Sequence, residues 1–165
     1  MPDPANSLMT QLMHILYQKF GENIQDFLLP PPVFTFMQGE MLEIDLDNAT
    51  LTTRFPILES YRNPYGTMQG GMIAAAVDNT LGPLSIIVAP PNVTRTLEIK
   101  YSRPVRPEMG YIVVQGRLVE RADPKMVFEA RVSGPQGEKL ATARATHWIV
   151  EMPLLREQAQ PPLSS

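Results

Sequence analysis

The chain has 165 residues, enough for one domain with a sizeable core and little room for a second. Its net charge of -3 gives no electrostatic reason to expect a nucleic acid partner, and no basic helix suggests membrane binding. The absence of cysteine excludes disulfides, thiolate catalysis and cysteine-ligated metals. Because neither a basic leader nor an apolar run of about 18 residues is evident, we expect a soluble, cytoplasmic protein.

The first predicted element is a helix within an N-terminal arm. Ser7 is a good N-cap for a helix from about Leu8 to Phe20, and Gly21 is a good residue to end it. Pro30-Pro31-Pro32 closes this arm, which we place at residues 1–32. Residues before Ser7 are expected to be loose.

Two strands are predicted after the arm. From Val33 onward apolar and polar residues mix as they do in a strand, until the turn signal Asp47-Asn48. The second strand is expected over Leu51 to Ile57. The apolar residues of the first region are Phe34, Phe36, Met41, Ile44 and Leu46.

A glycine-bearing loop that opens into an alanine-rich apolar run is the most informative part of the sequence. This pattern predicts a buried helix from Gly70 to about Val88, with a kink or an end at Gly82-Pro83. Unpaired N–H groups at such a helix start favour an oxygen that carries or develops negative charge. The run reads Asn63-Pro-Tyr-Gly66-Thr-Met-Gln69-Gly70-Gly71-Met-Ile-Ala-Ala-Ala-Val-Asp78.

The position of Asp78 inside this apolar helix needs an explanation, because a lone buried charge is costly. Asp78 lies eight residues after Gly70, or about 12 Å along the helix axis, which is too far for an aspartate to reach its own helix start. Either the two features are unrelated, or Asp78 serves the helix start of a second copy. The second alternative predicts a symmetric dimer with a composite site.

The remainder of the chain is predicted to contain four strands. The last three are joined by short turns, which predicts an antiparallel meander. A single apolar helix must be covered, and one curved antiparallel sheet wrapped about it is the economical α+β arrangement. The four strands are Val93 to Ser102, Tyr111 to Arg121, Met126 to Val132 and Leu140 to Val150.

This order of elements resembles the hotdog-fold thioesterases, and in particular the acyl-CoA thioesterases of the phenylacetic-acid-degradation (PaaI) type. The family signature is Asn-x-x-Gly-x-x-His-Gly-Gly, then six residues and an acid, and Tyr101-Ser-Arg-Pro104 is similar to its aromatic-x-x-Pro. The resemblance runs from about Val33 to Val150 and implies a hotdog domain over residues 33–151. The terminal segment at residues 152–165 is expected to be a loose tail. The signature places are occupied by Asn63, Gly66, Gln69, Gly70, Gly71 and Asp78.

The resemblance implies a role for each matched residue. The N–H of Gly70 would hold the thioester oxygen as an oxyanion hole, and Asn63 would orient the carbonyl or the attacking water. Asp78 of the other subunit would be general base or nucleophile. Thr94 or Thr96 would correspond to a hydroxyl that some members place beside that acid, and the sequence leaves both open.

Gln69 occupies the place of the family's histidine, and glutamine hydrogen bonds but carries no charge. Two functions therefore stay open: an acyl-CoA thioesterase, and a non-catalytic protein that binds acyl-CoA or another small ligand. Coenzyme A would enter as part of the substrate, with no separate cofactor and no metal. The resemblance implies a homo-oligomer, either a dimer or a dimer of dimers.

Further residues are candidates for substrate contact. Gly71 and Met72 lie at the predicted helix start, where glycine admits a ligand close to the backbone and methionine suits an adaptable acyl pocket; core filling is the alternative for Met72. Near a later strand end Arg103 and Arg106, together with Lys100, could meet the phosphates of coenzyme A, with a solvated edge as the alternative.

Overall fold

A six-stranded antiparallel sheet packed on one long helix forms the body of the molecule. The computed structural model describes residues 4–151, so the predicted tail at 152–165 lies outside the described residues. Strand order in the sheet is β1-β2-β4-β5-β6-β3. The helices are α1 (Pro4–Phe20), α2 (Pro32–Phe36) and α3 (Gly70–Val88), and the strands are β1 (Glu40–Asp45), β2 (Thr50–Pro56), β3 (Asn92–Tyr101), β4 (Tyr111–Ala122), β5 (Lys125–Ser133) and β6 (Lys139–Ile149).

The strands after α3 confirm the prediction from sequence. The last three form the expected meander, because β4 pairs with β5 and β5 with β6, both antiparallel. β6 then pairs with β3, which leaves β3 as one outer edge of the sheet. All ten residues of β3 therefore have one side of their backbone without a strand partner among residues 4–151.

The N-terminal part differs from the prediction in two places. The first helix begins at Pro4 rather than after Ser7, so residues 4–6 are helical and not loose. Residues from Val33 to Phe36 form part of the short helix α2 instead of a strand. Phe34 and Met37 are buried while Val33 and Phe36 are exposed, which is a helical spacing, and Pro32 at the first turn favours the helix.

The long helix α3 runs without a break from Gly70 to Val88, so it does not end at Gly82-Pro83. Its length and composition would let it cross a bilayer, contrary to the expectation that no apolar segment is long enough. One face of α3 is nevertheless packed on the sheet, as in a core helix. The buried residues on that face are Ile73, Ala76, Val77, Thr80, Leu81, Leu84, Ser85 and Ile87.

Two basic side chains satisfy the carbonyl groups at the C-terminal end of α3. Lys19 of α1 donates to the carbonyl oxygens of Ile86 (2.7 Å) and Ile87 (3.1 Å) and also to that of Ala89. Arg121 donates to the carbonyl oxygen of Val88 at 3.0 Å. Burial, with a smaller contribution from Arg121, lowers the pKa of Lys19 to about 8. The bonds from Lys19 fix the N-terminal arm to the end of the core helix, and the bond from Arg121 links β4 to the same end.

We expect Thr80→Val to lower the free energy of unfolding by about 1–3 kcal/mol, because it leaves a buried hydroxyl unpaired. Thr80 Oγ1 donates its one hydrogen to the carbonyl oxygen of Ala76 (2.8 Å). In the 2.6 Å bond between the two hydroxyls, the buried Thr53 is therefore the donor and Thr80 Oγ1 the acceptor. Denaturant unfolding measures the loss. The matched double variant Thr53→Val/Thr80→Val should recover part of it, and a double variant less stable than Thr80→Val would contradict the assignment.

Candidate active site

The loop before α3 is shaped by the side chain of Asn63. Its Oδ1 accepts from the backbone N–H groups of Tyr65 (3.0 Å) and Thr67 (3.2 Å), and its Nδ2 donates to Thr67 Oγ1 at 2.9 Å. One N–H of the amide has no acceptor within residues 4–151. Asn63 therefore fixes the loop and keeps a single donor that a ligand could use.

The start of α3 presents two backbone N–H groups in a row. The backbone N–H of Gln69 donates to the carbonyl oxygen of Tyr61 (2.7 Å), and that of Met68 donates to the carbonyl oxygen of Val105 (2.8 Å). These two bonds fix the backbone just before the helix. In the part of the chain that the structure describes, the N–H groups of Gly70 and Gly71 have no acceptor. Two adjacent unpaired donors at a helix start suit an oxygen that gains negative charge.

The side chain of Gln69 takes no part in this arrangement. Gln69 is the N-cap residue of α3, but its side chain makes no capping hydrogen bond. It is exposed and has no hydrogen-bond partner among the described residues. The structure therefore does not show glutamine fixing the loop in the place of the family's histidine.

A groove of about 310 Å³ lies at the helix start. Tyr101 covers one side of it and donates from its hydroxyl to the carbonyl oxygen of Gly70 at 2.8 Å. A Cβ atom on Gly70 would lie 3.2 Å from the Tyr101 ring, so glycine is what admits this close approach. Arg103 also lines the groove, whereas Arg106 does not. Neither arginine has a carboxylate within 4 Å in residues 4–151.

Asp78 is held by the hydroxyl of Thr94, which donates to Asp78 Oδ1 at 3.0 Å. A β-bulge at Arg95 shifts the register of β3, so that Thr94 pairs with His147 while Thr96 pairs with Thr146. Thr94 consequently faces α3, and Thr96 lies on the opposite face of the sheet. The structure brings Thr94 to the acid and does not bring Thr96.

Behind Thr94 lies His147, a buried residue that the sequence analysis did not select. Its Nε2 is 3.4 Å from Thr94 Oγ1, and its Nδ1 is 2.9 Å from Asn92 Oδ1. Asn92 Nδ2 donates to the carbonyl oxygen of Pro90 at 2.9 Å, which orients the amide and assigns the proton of the neutral ring to Nδ1. Burial lowers the pKa of His147, and the charge of Asp78 partly opposes that shift.

Gly71 and Asp78 share one face of α3. They are seven residues apart, or about two helical turns, and are the exposed positions of the helix. Because the helix is continuous, Gly70 and Asp78 are about 12 Å apart along its axis. Within one chain, the N–H donors and the carboxylate therefore lie at separate places.

The methionines near the helix start differ in their surroundings. Met72 is half-buried and packs against the core, and Met68 lines the groove at Gly70. Met37 is fully buried, and Met41 contacts a separate cavity next to Asp78. Within residues 4–151, no three His, Cys, Asp or Glu side chains lie close enough together to hold a metal ion.

Comparison with solved structures identifies the architecture. A phenylacetic acid degradation-related protein from Ralstonia eutropha JMP134 is 24% identical, with a TM-score of 0.68 over 79% of this chain and 99% of that one. The Escherichia coli PaaI protein from the phenylacetic acid degradation operon is 12% identical, with a TM-score of 0.70 over 85% of this chain and 96% of that one. The chain has the hotdog fold.

Two further similar proteins match a smaller share of this chain. A Streptococcus mutans UA159 protein solved with acetyl CoA is 22% identical, with a TM-score of 0.62 over 67% of this chain and 86% of that one. A Saccharolobus solfataricus protein named "Putative esterase" is 24% identical over 120 residues, which are 72% of this chain and 83% of that protein. No family model matches the sequence.

We expect acidification to destabilise the wild type more than a His147→Gln variant. Burial holds the folded-state pKa of His147 below its ordinary value of 6.5, so the unfolded chain binds the proton more readily. The stability contribution is fully present above about pH 6.5 and is lost as the pH falls through the folded pKa. Unfolding free energies at pH 7.5 and pH 5 measure the difference.

The matched control for this measurement is His14→Gln, which changes an exposed histidine on α1. This control should keep the pH dependence of the wild type. An equal loss of stability in His147→Gln and in the wild type would contradict the assignment of a buried neutral imidazole.

Proposed function

We propose that this hotdog protein is an acyl-CoA thioesterase, which hydrolyses the thioester bond of a small or medium acyl-CoA at a site shared between two subunits. The observation that carries the proposal is the layout of α3. The helix presents unpaired N–H groups at Gly70 and Gly71 in a groove, and a carboxylate on Asp78 held by a hydroxyl. Thioester hydrolysis needs both of these groups at one carbonyl.

In this proposal the carbonyl oxygen of the thioester lies at the start of α3. Its negative charge grows when the carbonyl carbon is attacked, and the N–H of Gly70 donates to it without any reorganisation of the helix. The adjacent N–H of Gly71 and the positive end of the helix dipole support the same charge. The remaining N–H of Asn63 orients the carbonyl or the water.

Asp78 supplies the second half of the reaction. Because Thr94 occupies Oδ1, Oδ2 is the oxygen available to take a proton from water or to attack the carbonyl carbon. In the general-base route, the resulting hydroxide adds to the carbonyl carbon and the tetrahedral intermediate expels the thiolate of coenzyme A. That thiolate takes up the proton held by Asp78, and the carboxylate is regenerated.

A dimer would bring the two halves together. Strand β3 is a ten-residue edge whose outer N–H and C=O groups have no strand partner in the described chain, and a second β3 can pair with them. Small side chains next to Asp78 on α3, such as Ala74, permit the close approach of a second helix. Gly70 of one subunit would then meet Asp78 of the other, in a dimer or a dimer of dimers.

Coenzyme A would bind through the groove at the helix start. Arg103 lines that groove and has no carboxylate partner in the described residues, so its guanidinium is available for a phosphate. Arg106 and Lys100 lie nearby in sequence and add positive charge, although Lys100 is 4.0 Å from Glu98. The similar Streptococcus mutans protein, which was solved with acetyl CoA, supports this choice of ligand.

A non-catalytic acyl-CoA binding protein is the second candidate, and Gln69 favours it. The exposed Gln69 side chain neither caps α3 nor bonds the loop in the described structure, so nothing replaces the family's histidine. Both candidates predict saturable binding of acyl-CoA. They differ in whether thiol is released.

Asp78→Asn should lower kcat for release of coenzyme A from acyl-CoA by at least about 10²-fold, because the amide can neither accept the proton nor attack. Thiol release from a panel of acyl-CoAs measures the effect. The matched control is Asp47→Asn, in the exposed turn after β1, which should retain the wild-type rate. No release by the wild type would favour the binding protein, and an undiminished rate in Asp78→Asn would refute the role of Asp78.

Gly70→Pro removes the proposed oxyanion donor while the helix stays intact. Proline is tolerated at the first helical position, and Gln69 already has the φ of -59° and ψ of 134° that a residue before proline favours. Gly70→Ala adds a Cβ atom but keeps the N–H, so it is the matched control for crowding against Tyr101. We expect kcat of Gly70→Pro to lie about 10²–10³-fold below that of Gly70→Ala.

Mixing Gly70→Pro with Asp78→Asn tests whether the site is shared. After random subunit exchange, half of the dimers are mixed and each mixed dimer contains one intact site, so about a quarter of the wild-type activity should return. The control is each variant incubated alone under the same conditions. Confirmed exchange without recovery of activity would mean that each site lies within one chain.

A further inference from the structure

A cavity of about 210 Å³ lies between the N-terminal arm and α3, and the exposed Asp78 is one of the residues that line it. One wall is the inner face of α1, with Met9, Leu12 and Leu16. The second wall is α3 from Asp78 to Ile86, and the segment at 29–31 together with Met41 of β1 closes the remaining sides. The cavity is separate from the groove at Gly70.

Almost every side chain that lines this cavity is apolar. Asp78 and Asn79 are its polar members, and both come from the side of α3 where the candidate acid lies. Asn79 is tied back to the helix by a bond from Nδ2 to the carbonyl oxygen of Ala75 at 2.9 Å. An apolar cavity favours an apolar ligand over water.

The arm that forms this wall is fixed in place. Leu12 and Leu16 are 3% and 2% exposed, and both belong to the hydrophobic core. One turn further along α1, Lys19 donates to the carbonyl groups at the end of α3. The cavity is therefore a preformed site between two packed helices.

We propose that this cavity holds the acyl group of the substrate, and that it suits an apolar acyl group of about eight carbons. The proposal rests on the proposed thioesterase function, because Asp78 would act on the carbonyl at the mouth of the cavity. A cavity of about 150 Å³ holds benzene, so 210 Å³ corresponds to about eight carbons by proportion. The N-terminal arm is thus a specificity element of the site.

Gly82 gives a direct way to fill the cavity. It lines the cavity from α3, and a Cβ atom placed on it would have no heavy atom within 4 Å. A side chain can therefore start from this position without a clash at its Cβ atom, and its further atoms would take up volume in the cavity. Leucine also has a better helix propensity than glycine, so Gly82→Leu should not weaken α3.

The test compares kcat/KM for octanoyl-CoA and acetyl-CoA in the wild type and in Gly82→Leu. We expect the octanoyl-to-acetyl ratio to fall at least about tenfold in Gly82→Leu. The matched control is Gln11→Leu, which adds the same side chain to the arm at an exposed position outside the cavity and should leave the ratio unchanged. An unchanged ratio in Gly82→Leu, or an equal fall in Gln11→Leu, would overturn the assignment.

Binding of two thioether analogues separates this proposal from the proposed function. S-octyl-CoA and S-methyl-CoA cannot be hydrolysed, so calorimetric titration tests the cavity even when no acyl-CoA is turned over. The wild type should bind S-octyl-CoA at least about tenfold more tightly than S-methyl-CoA, and Gly82→Leu should lose that preference. Failure of turnover with this preference intact would refute the thioesterase alone, and equal binding of both analogues would refute the cavity as an acyl site.

Discussion

Packing of α3 on the sheet is the constraint on which the rest of the structure depends. The helix and β4 approach so closely that a Cβ atom on Gly116 would lie 2.6 Å from Leu81 Cδ2. Leu81 is fully buried, so the glycine sets how near the helix lies. Once the buried face is fixed, the 3.6-residue period places Gly71 and Asp78 together on the opposite face.

Much of this architecture could be predicted from the sequence because its signals are local. Prolines, glycines and turn dipeptides mark the ends of the last four strands, and the glycine pair marks the start of α3. The prediction of a strand from Val33 to Phe36 was wrong, because the apolar residues of this segment fit a helix as well as a strand. Pro83 predicts a kink or an end of the helix, yet the packing of α3 keeps the helix continuous past it.

The candidate site was predictable only in part. The helix start at Gly70 and the distance to Asp78 follow from the motif and from helix geometry. The choice between Thr94 and Thr96 depends on the bulge at Arg95, and no local sequence pattern predicts that bulge. His147 could not be predicted as a site residue for a related reason: its contact with Thr94 exists only because β3 and β6 pair in this register.

Under the proposed function, α3 serves a partner subunit and an acyl group at once, and the surroundings of Asp78 leave room for both. The arm covers the side of the helix that carries Asn79, Gly82 and Ile86, and it leaves Gly71 and Asp78 exposed. Because the ring of His147 is buried and its pKa is lowered, the ring is neutral near pH 7. It therefore places no positive charge behind Thr94. Under the proposed function, the carboxylate of Asp78 therefore lies between an apolar cavity on one side and a second helix start on the other.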